Sequence, residues 1–78
     1  MKKKTVFKRD YRALINTLVE ARKAAELTQG ELARRVQRDQ PIISKIETLE
    51  RRLDIVEFKA ICKVLRLDPA KLLEIIKG

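Results

Sequence analysis

Two amides and one ammonium group carry the most specific chemistry in the stretch "TQGELARRVQRDQPIISKIE", residues 28–47. They are Gln29, Gln40 and Lys45. A glutamine amide holds a donor and an acceptor side by side, so it pairs with a flat surface presenting the reverse order; an ammonium only donates. Such groups recognise. They do not shuttle protons near neutral pH. The rest of the chain offers little for catalysis. It has no histidine, no glycine-rich phosphate loop and no Cys/His metal spacing. Glu47, Glu50, Glu57 and Glu74 fall at helical spacings that suit solvation, capping or, for Glu47, an ion pair, and none stands beside a nucleophile. Cys62, in the apolar run "FKAICKVL", reads as a buried structural thiol in a reducing, cytoplasmic compartment. No enzyme activity, metal, cofactor or small-molecule ligand is expected.

The apolar spacing shows which elements must hold those groups. Tyr11, Leu14, Ile15, Leu18, Ala21 and Ala25 follow the i, i+3, i+4 rhythm, which predicts a first helix from Phe7 to Ala25. Residues 1–6 before it read as a flexible basic arm. "TQGE" is a capping box in which Thr28 and Glu31 exchange hydrogen bonds, opening a short second helix that turns Leu32, Ala33 and Val36 inward and stops near Gln37. Asp39 is placed to cap a third helix, with Pro41 at its second position, where a missing N–H breaks no intrahelical bond. Ile43 and Ile46 point inward; Pro41, Ser44, Lys45, Thr48 and Arg52 occupy the other side. "DIVE" repeats the capping box with Asp54 and Glu57, and Ile55, Phe58, Ile61, Cys62 and Leu65 form a fourth apolar stripe. Asp68 and Pro69 open a fifth helix that Gly78 ends. The expected architecture is all-α: one five-helix domain over residues 7–78, without strand or repeat.

With 78 residues, only one small domain fits, and a formal charge of +8 on so small a surface draws polyanions. No apolar run is long enough to span a membrane. "MKKKTVFKR" has only Val6 and Phe7 to insert into a membrane surface. Two short helices joined by a tight turn make a helix-turn-helix, and neither is stable alone. Helices one, four and five must therefore hold them, which leaves the outer face of the third helix free to enter a DNA major groove. On that face Gln40 can pair with an adenine edge, Lys45 can donate to guanine or a phosphate, and Pro41 can pack on a thymine methyl. Gln29 is placed to brace Gln40 or bond a phosphate. The amides at the Thr28 end form a phosphate site, and Arg38, Arg51 and Arg52 would grip backbone, which positions without specifying.

"LTQGELARRVQRDQPIISKIE" with "ERRLDIVEFKAICKVLRLDPAKLL" resembles the xenobiotic response element (XRE), Cro-like helix-turn-helix group of bacterial and phage regulators, over roughly Tyr11 to Ile76. The resemblance implies a lambda-repressor-like fold and transcriptional control, with a homodimer on an inverted-repeat operator. It puts the reading positions on Gln29, Gln40, Pro41 and Lys45, and phosphate positions on Thr28, Thr48, Arg51 and Arg52. It also implies a partly buried ion pair between Arg22 and Glu47, whose rupture would cost about 3 kcal/mol. Where the family usually has glycine, this chain has Glu26, Gln37, Leu49 and Arg66. Keeping a left-handed backbone there costs about 1 kcal/mol each. Leu49 is the position most apt to be rebuilt, with the third helix running on towards Glu50 or Arg51. Position 41 also departs, since a small polar residue is usual there.

Leu72, Leu73, Ile75 and Ile76 span an arc wider than one core contact needs, which points to a dimer interface on the fifth helix. The rival reading is a protein-interaction adaptor, or an antitoxin whose main partner is an acidic protein such as its toxin. The DNA reading places the chain on the nucleoid.

Overall fold

A helix of 23 residues, α1 (Lys2–Ala24), carries the other elements. It buries Leu14, Ile15, Leu18 and the charged Arg22. These lie at positions i, i+1, i+4 and i+8, one continuous stripe of the helix. Ala25, expected on that stripe, is exposed because the helix has ended at Ala24. The computed structural model describes the backbone of residues 2–77 and the side chains of residues 8–77. The segment read as a basic arm is helical from Lys2 onward, and its side chains lie outside the described residues.

Four shorter helices follow: α2 (Gln29–Arg35), α3 (Gln40–Glu47), α4 (Ile55–Leu65) and α5 (Pro69–Leu73). No strand occurs among the described residues. The capping boxes at α2 and α4 are both formed. The Thr28 hydroxyl oxygen accepts from the Glu31 amide at 3.0 Å and Glu31 accepts from the Thr28 amide at 2.8 Å. Asp54 and Glu57 do the same at 2.7 and 3.1 Å. Asp39 stands at the N-cap of α3, yet its side chain makes no capping bond. Proline removes the N–H at the second helical position, and the next amide, that of Ile42, is taken by the Asp39 carbonyl at 3.0 Å.

Leu32, Ala33, Val36, Ile43, Ile46, Phe58, Ile61 and Cys62 join the α1 stripe in one core. Burial raises the Cys62 thiol pKa, in keeping with a structural role. Ile55 corrects the expected α4 stripe: it is 71% exposed. It is the first residue of α4, beyond the edge of the core, and lines an open apolar depression with Leu53, Leu73 and Ile76.

The fifth helix also departs from expectation. It ends at Leu73, and the amides of Glu74, Ile75 and Ile76 bond carbonyls three residues back in a tightened turn. The Lys77 amide then donates to Asp10 on α1 at 2.9 Å, which returns the chain to the first helix. Leu72, expected at an interface, lies in the core, 7% exposed. Ile75 is partly buried against the same core, whereas Leu73 and Ile76 remain 44% and 38% exposed.

The four positions without glycine all keep the left-handed backbone. Glu26, Gln37 and Arg66 have φ of 59° and Leu49 has φ of 70°. Leu49 is therefore not rebuilt, and α3 stops at Glu47. The reason lies in the hydrogen bonds. After each of these residues the next amide donates to the carbonyl five back: Leu27 to Arg22, Arg38 to Ala33, Glu50 to Lys45 and Leu67 to Cys62, at 2.8–3.1 Å. That is the Schellman closure of a helix, and it needs a left-handed residue whatever its side chain. Four helices thus end in the same motif without glycine.

Candidate nucleic-acid interface

The exposed side of α3 presents Gln40, Pro41 and Lys45, with Ser44 half-buried between them. Behind it, a chain of hydrogen bonds runs from the surface into the protein. Gln40 Nε2 donates to Gln29 Oε1 at 2.9 Å, and Gln29 Nε2 donates to Glu47 Oε1 at 2.8 Å. Arg22 then takes both carboxylate oxygens, Nε to Oε2 at 2.7 Å and Nη2 to Oε1 at 3.0 Å. Its Nη1 donates to the Leu27 carbonyl at 2.7 Å. The Arg22 and Glu47 side chains are only 10% and 12% exposed, so both charges depend on each other. The geometry follows from the sequence. Gln40 and Glu47 are seven residues apart, two turns along one side of α3, and Gln29 is the first residue of α2, packed across from them.

A second network lies at the start of α4. Glu57, 2% exposed, receives Arg38 Nε at 3.0 Å and the two terminal nitrogens of Arg51 at 2.9 Å each. The Arg51 hydrogen bonds, helped by the Asp54 amide and Arg38 against the cost of burial, hold the Glu57 carboxyl down at about 2. Sequence reading gave Glu57 only a capping or solvated role. The available signal was the arginine pair of "ERRLDIVE", six and five residues ahead of a capping glutamate. Arg38 and Arg51, expected on DNA backbone, lie against this carboxylate while about a third of each side chain stays exposed, 34% and 37%. Arg52, third of the flanking cations, sits 4.9 Å over the Tyr11 ring, and the Tyr11 hydroxyl accepts from the Leu53 amide at 2.9 Å. Tyr11 was expected only as part of an apolar stripe.

Two more positions differ from a bare phosphate site. The Thr48 hydroxyl lies 2.8 Å from Glu50 Oε2 and 3.1 Å from the Ser44 carbonyl. At the start of α2, the Thr28 and Glu31 amides are both consumed by the capping box, and the Thr28 backbone bond lowers the Glu31 carboxyl pKa. The residues expected at an interface on α5 separate: Leu73 and Ile76 share an open apolar depression with Tyr11, Leu53 and Ile55, while Leu72 is in the core. No helix among the described residues is long and apolar enough to cross a membrane.

A family model described as helix-turn-helix matches residues 18–72, which takes in all of α2, α3 and α4. Among solved structures, the chain is similar to an XRE-family like protein from Pseudomonas syringae pv. tomato str. DC3000. The two are 45% identical over 97% of this chain and 93% of that one, with a TM-score of 0.88. No curated protein matches. On these matches and on the α2–α3 geometry, the chain belongs to the XRE-family helix-turn-helix proteins, a family of DNA-binding regulators with an all-α, lambda-repressor-like fold.

Proposed function

We propose that the chain is a sequence-specific transcriptional repressor that binds an inverted-repeat operator as a homodimer, with α3 in the major groove of each half-site. One observation carries this reading: Gln40, the exposed first residue of α3, is held by Gln29 through a hydrogen bond of 2.9 Å. A held amide at a helix N-terminus is suited to read a base edge, because the cost of ordering it has been met before binding. Pro41 and Lys45 continue the reading face. Thr28, Arg38, Thr48, Arg51 and Arg52 flank it as backbone contacts. Two of these arginines keep partial exposure beside Glu57, so a phosphate can reach their outer edges.

Leu73 and Ile76, with the neighbouring Ile55 and Val56, supply exposed apolar surface for the dimer. Two reading helices would then stand about 34 Å apart, one turn of DNA.

Selection of binding sites from a random DNA pool tests the whole reading at once. The expected product is an inverted repeat with a half-site spacing near one turn. Competition with random-sequence DNA at physiological salt is the decisive control. Affinity for the selected site no better than for bulk DNA removes the repressor and favours the adaptor or antitoxin with an acidic partner. In the selected site, Lys45→Ala should relax preference at one base pair by ~1–3 kcal/mol. Arg52→Ala should weaken all sequences alike and reduce the salt slope by about one.

A further inference from the structure

We propose that Glu47 is a positioning residue for base choice: its charge sets the donor and acceptor order of the Gln29 and Gln40 amides, so that Gln40 accepts adenine and refuses guanine. The proposal rests on the reading that α3 enters the major groove.

The order follows from what each group can do. An ionised carboxylate only accepts hydrogen bonds. Gln29 must therefore turn its nitrogen to Glu47, as it does at 2.8 Å. Its oxygen is then left facing Gln40. That oxygen also only accepts, so Gln40 must bring its nitrogen, at 2.9 Å. One of the two Gln40 amide hydrogens is consumed. What remains for DNA is one N–H and one carbonyl oxygen.

Adenine shows an acceptor, N7, beside a donor, the N6 amino group, in the major groove; guanine shows two acceptors, N7 and O6. The remaining Gln40 pair matches adenine. Against guanine, its single free hydrogen can serve one acceptor, and its oxygen is then set against the other. An unbraced glutamine could instead turn both hydrogens outward. The brace removes that option.

The order cannot reverse from its inner end. Arg22 holds both Glu47 oxygens at 2.7 and 3.0 Å, and is itself fixed on the Leu27 carbonyl at 2.7 Å. Arg22 is 8% exposed. The polarity of an exposed amide is thus anchored in a buried ion pair.

The test uses the full chain and the duplex obtained by site selection. Gln40→Ala first identifies the base pair that Gln40 reads, as the one position where preference relaxes. Affinities are then compared for duplexes carrying adenine or guanine there. The wild type should prefer adenine by roughly 10- to 100-fold. Gln29→Leu cuts the chain and leaves the Arg22–Glu47 pair intact. It should bring the ratio to within about threefold at that base pair, whatever it does to the overall affinity. Glu47→Gln, compared after a urea titration has confirmed folding, should flatten the same ratio, because a neutral amide can face Gln29 either way round. A purely structural Glu47 would instead weaken every sequence alike. If Gln29→Leu keeps the full ratio, or if Gln40 proves to read guanine, the relay is overturned and the operator reading survives. If the wild type selects no site, both fall together.

Discussion

At Glu47 one arginine takes both carboxylate oxygens, whereas at Glu57 two arginines share them. The first site is balanced, one cation to one anion, and its arginine comes from the long helix α1. The second holds two cations to one anion, and both arginines come from turns, the one before α3 and the one after it. Their exposure differs accordingly: about a tenth of the Arg22 side chain meets solvent, against about a third for Arg38 and Arg51. A buried pair between rigid helices can fix the orientation of a neighbour such as Gln29. A carboxylate that gathers two surface arginines fixes turns, and leaves net positive charge beside the reading helix.

Truncating Arg22 is the hardest blow to this contrast. Arg22→Ala leaves the Glu47 carboxylate and the Leu27 carbonyl without their main partner in a site where only about a tenth of each paired side chain is exposed. The expected loss is about 4 kcal/mol, read as a lower urea midpoint with an unchanged slope. A variant as stable as wild type would mean that the Arg22 pair is no more costly to break than a surface one.

The Glu57 site should respond less to mutation, and its own response to acid can be read directly. Glu57→Gln leaves two arginines, each about a third exposed, that water can reach, so a loss of about 2 kcal/mol is expected. The pH dependence has a definite sign. The folded-state carboxyl sits at about 2, below its ordinary 4.5. Its contribution is therefore complete above about 4.5 and disappears as pH falls towards 2. Urea midpoints measured from pH 6 to pH 2 should fall through this window in the wild type, and fall less in Glu57→Gln. Parallel curves would show that another carboxylate governs acid unfolding.

The contrast also explains what was legible in the sequence. Thr28–Glu31 and Asp54–Glu57 are local: three residues apart, they meet wherever a helix starts, and both boxes are formed. Arg22 and Glu47 lie 25 residues apart, and only the family resemblance joined them. Glu57 was hidden by its own capping role, because a residue with one evident local partner gives no sign of a second partner 19 residues away. Helix ends were read least well. At Leu49 the absence of glycine suggested a longer α3, but side-chain type says little about a turn whose hydrogen bonds demand a left-handed residue. Leu72 illustrates the same limit: an apolar arc announces burial and does not say against what.

The smallest effect bears on how the Glu57 arginines are delivered. Gln37 immediately precedes Arg38, and Leu49 stands two residues before Arg51; both have positive φ. A side chain in that region costs about 1 kcal/mol against glycine, partly offset by the greater freedom that glycine gives the unfolded chain. Gln37→Gly should therefore stabilise by up to about 1 kcal/mol. Leu49→Gly should gain less, since the Leu49 side chain is only 37% exposed and its contacts are lost. Made in the Glu57→Gln background, the same Gln37→Gly change asks whether carboxylate and turn act as a unit. If the arginine pair helps hold the turn in its left-handed form, glycine gains more once Glu57 is gone. Equal gains in both backgrounds would mean that the backbone bond from Arg38 to Ala33 closes the turn alone, and that Glu57 only collects arginines already delivered to it.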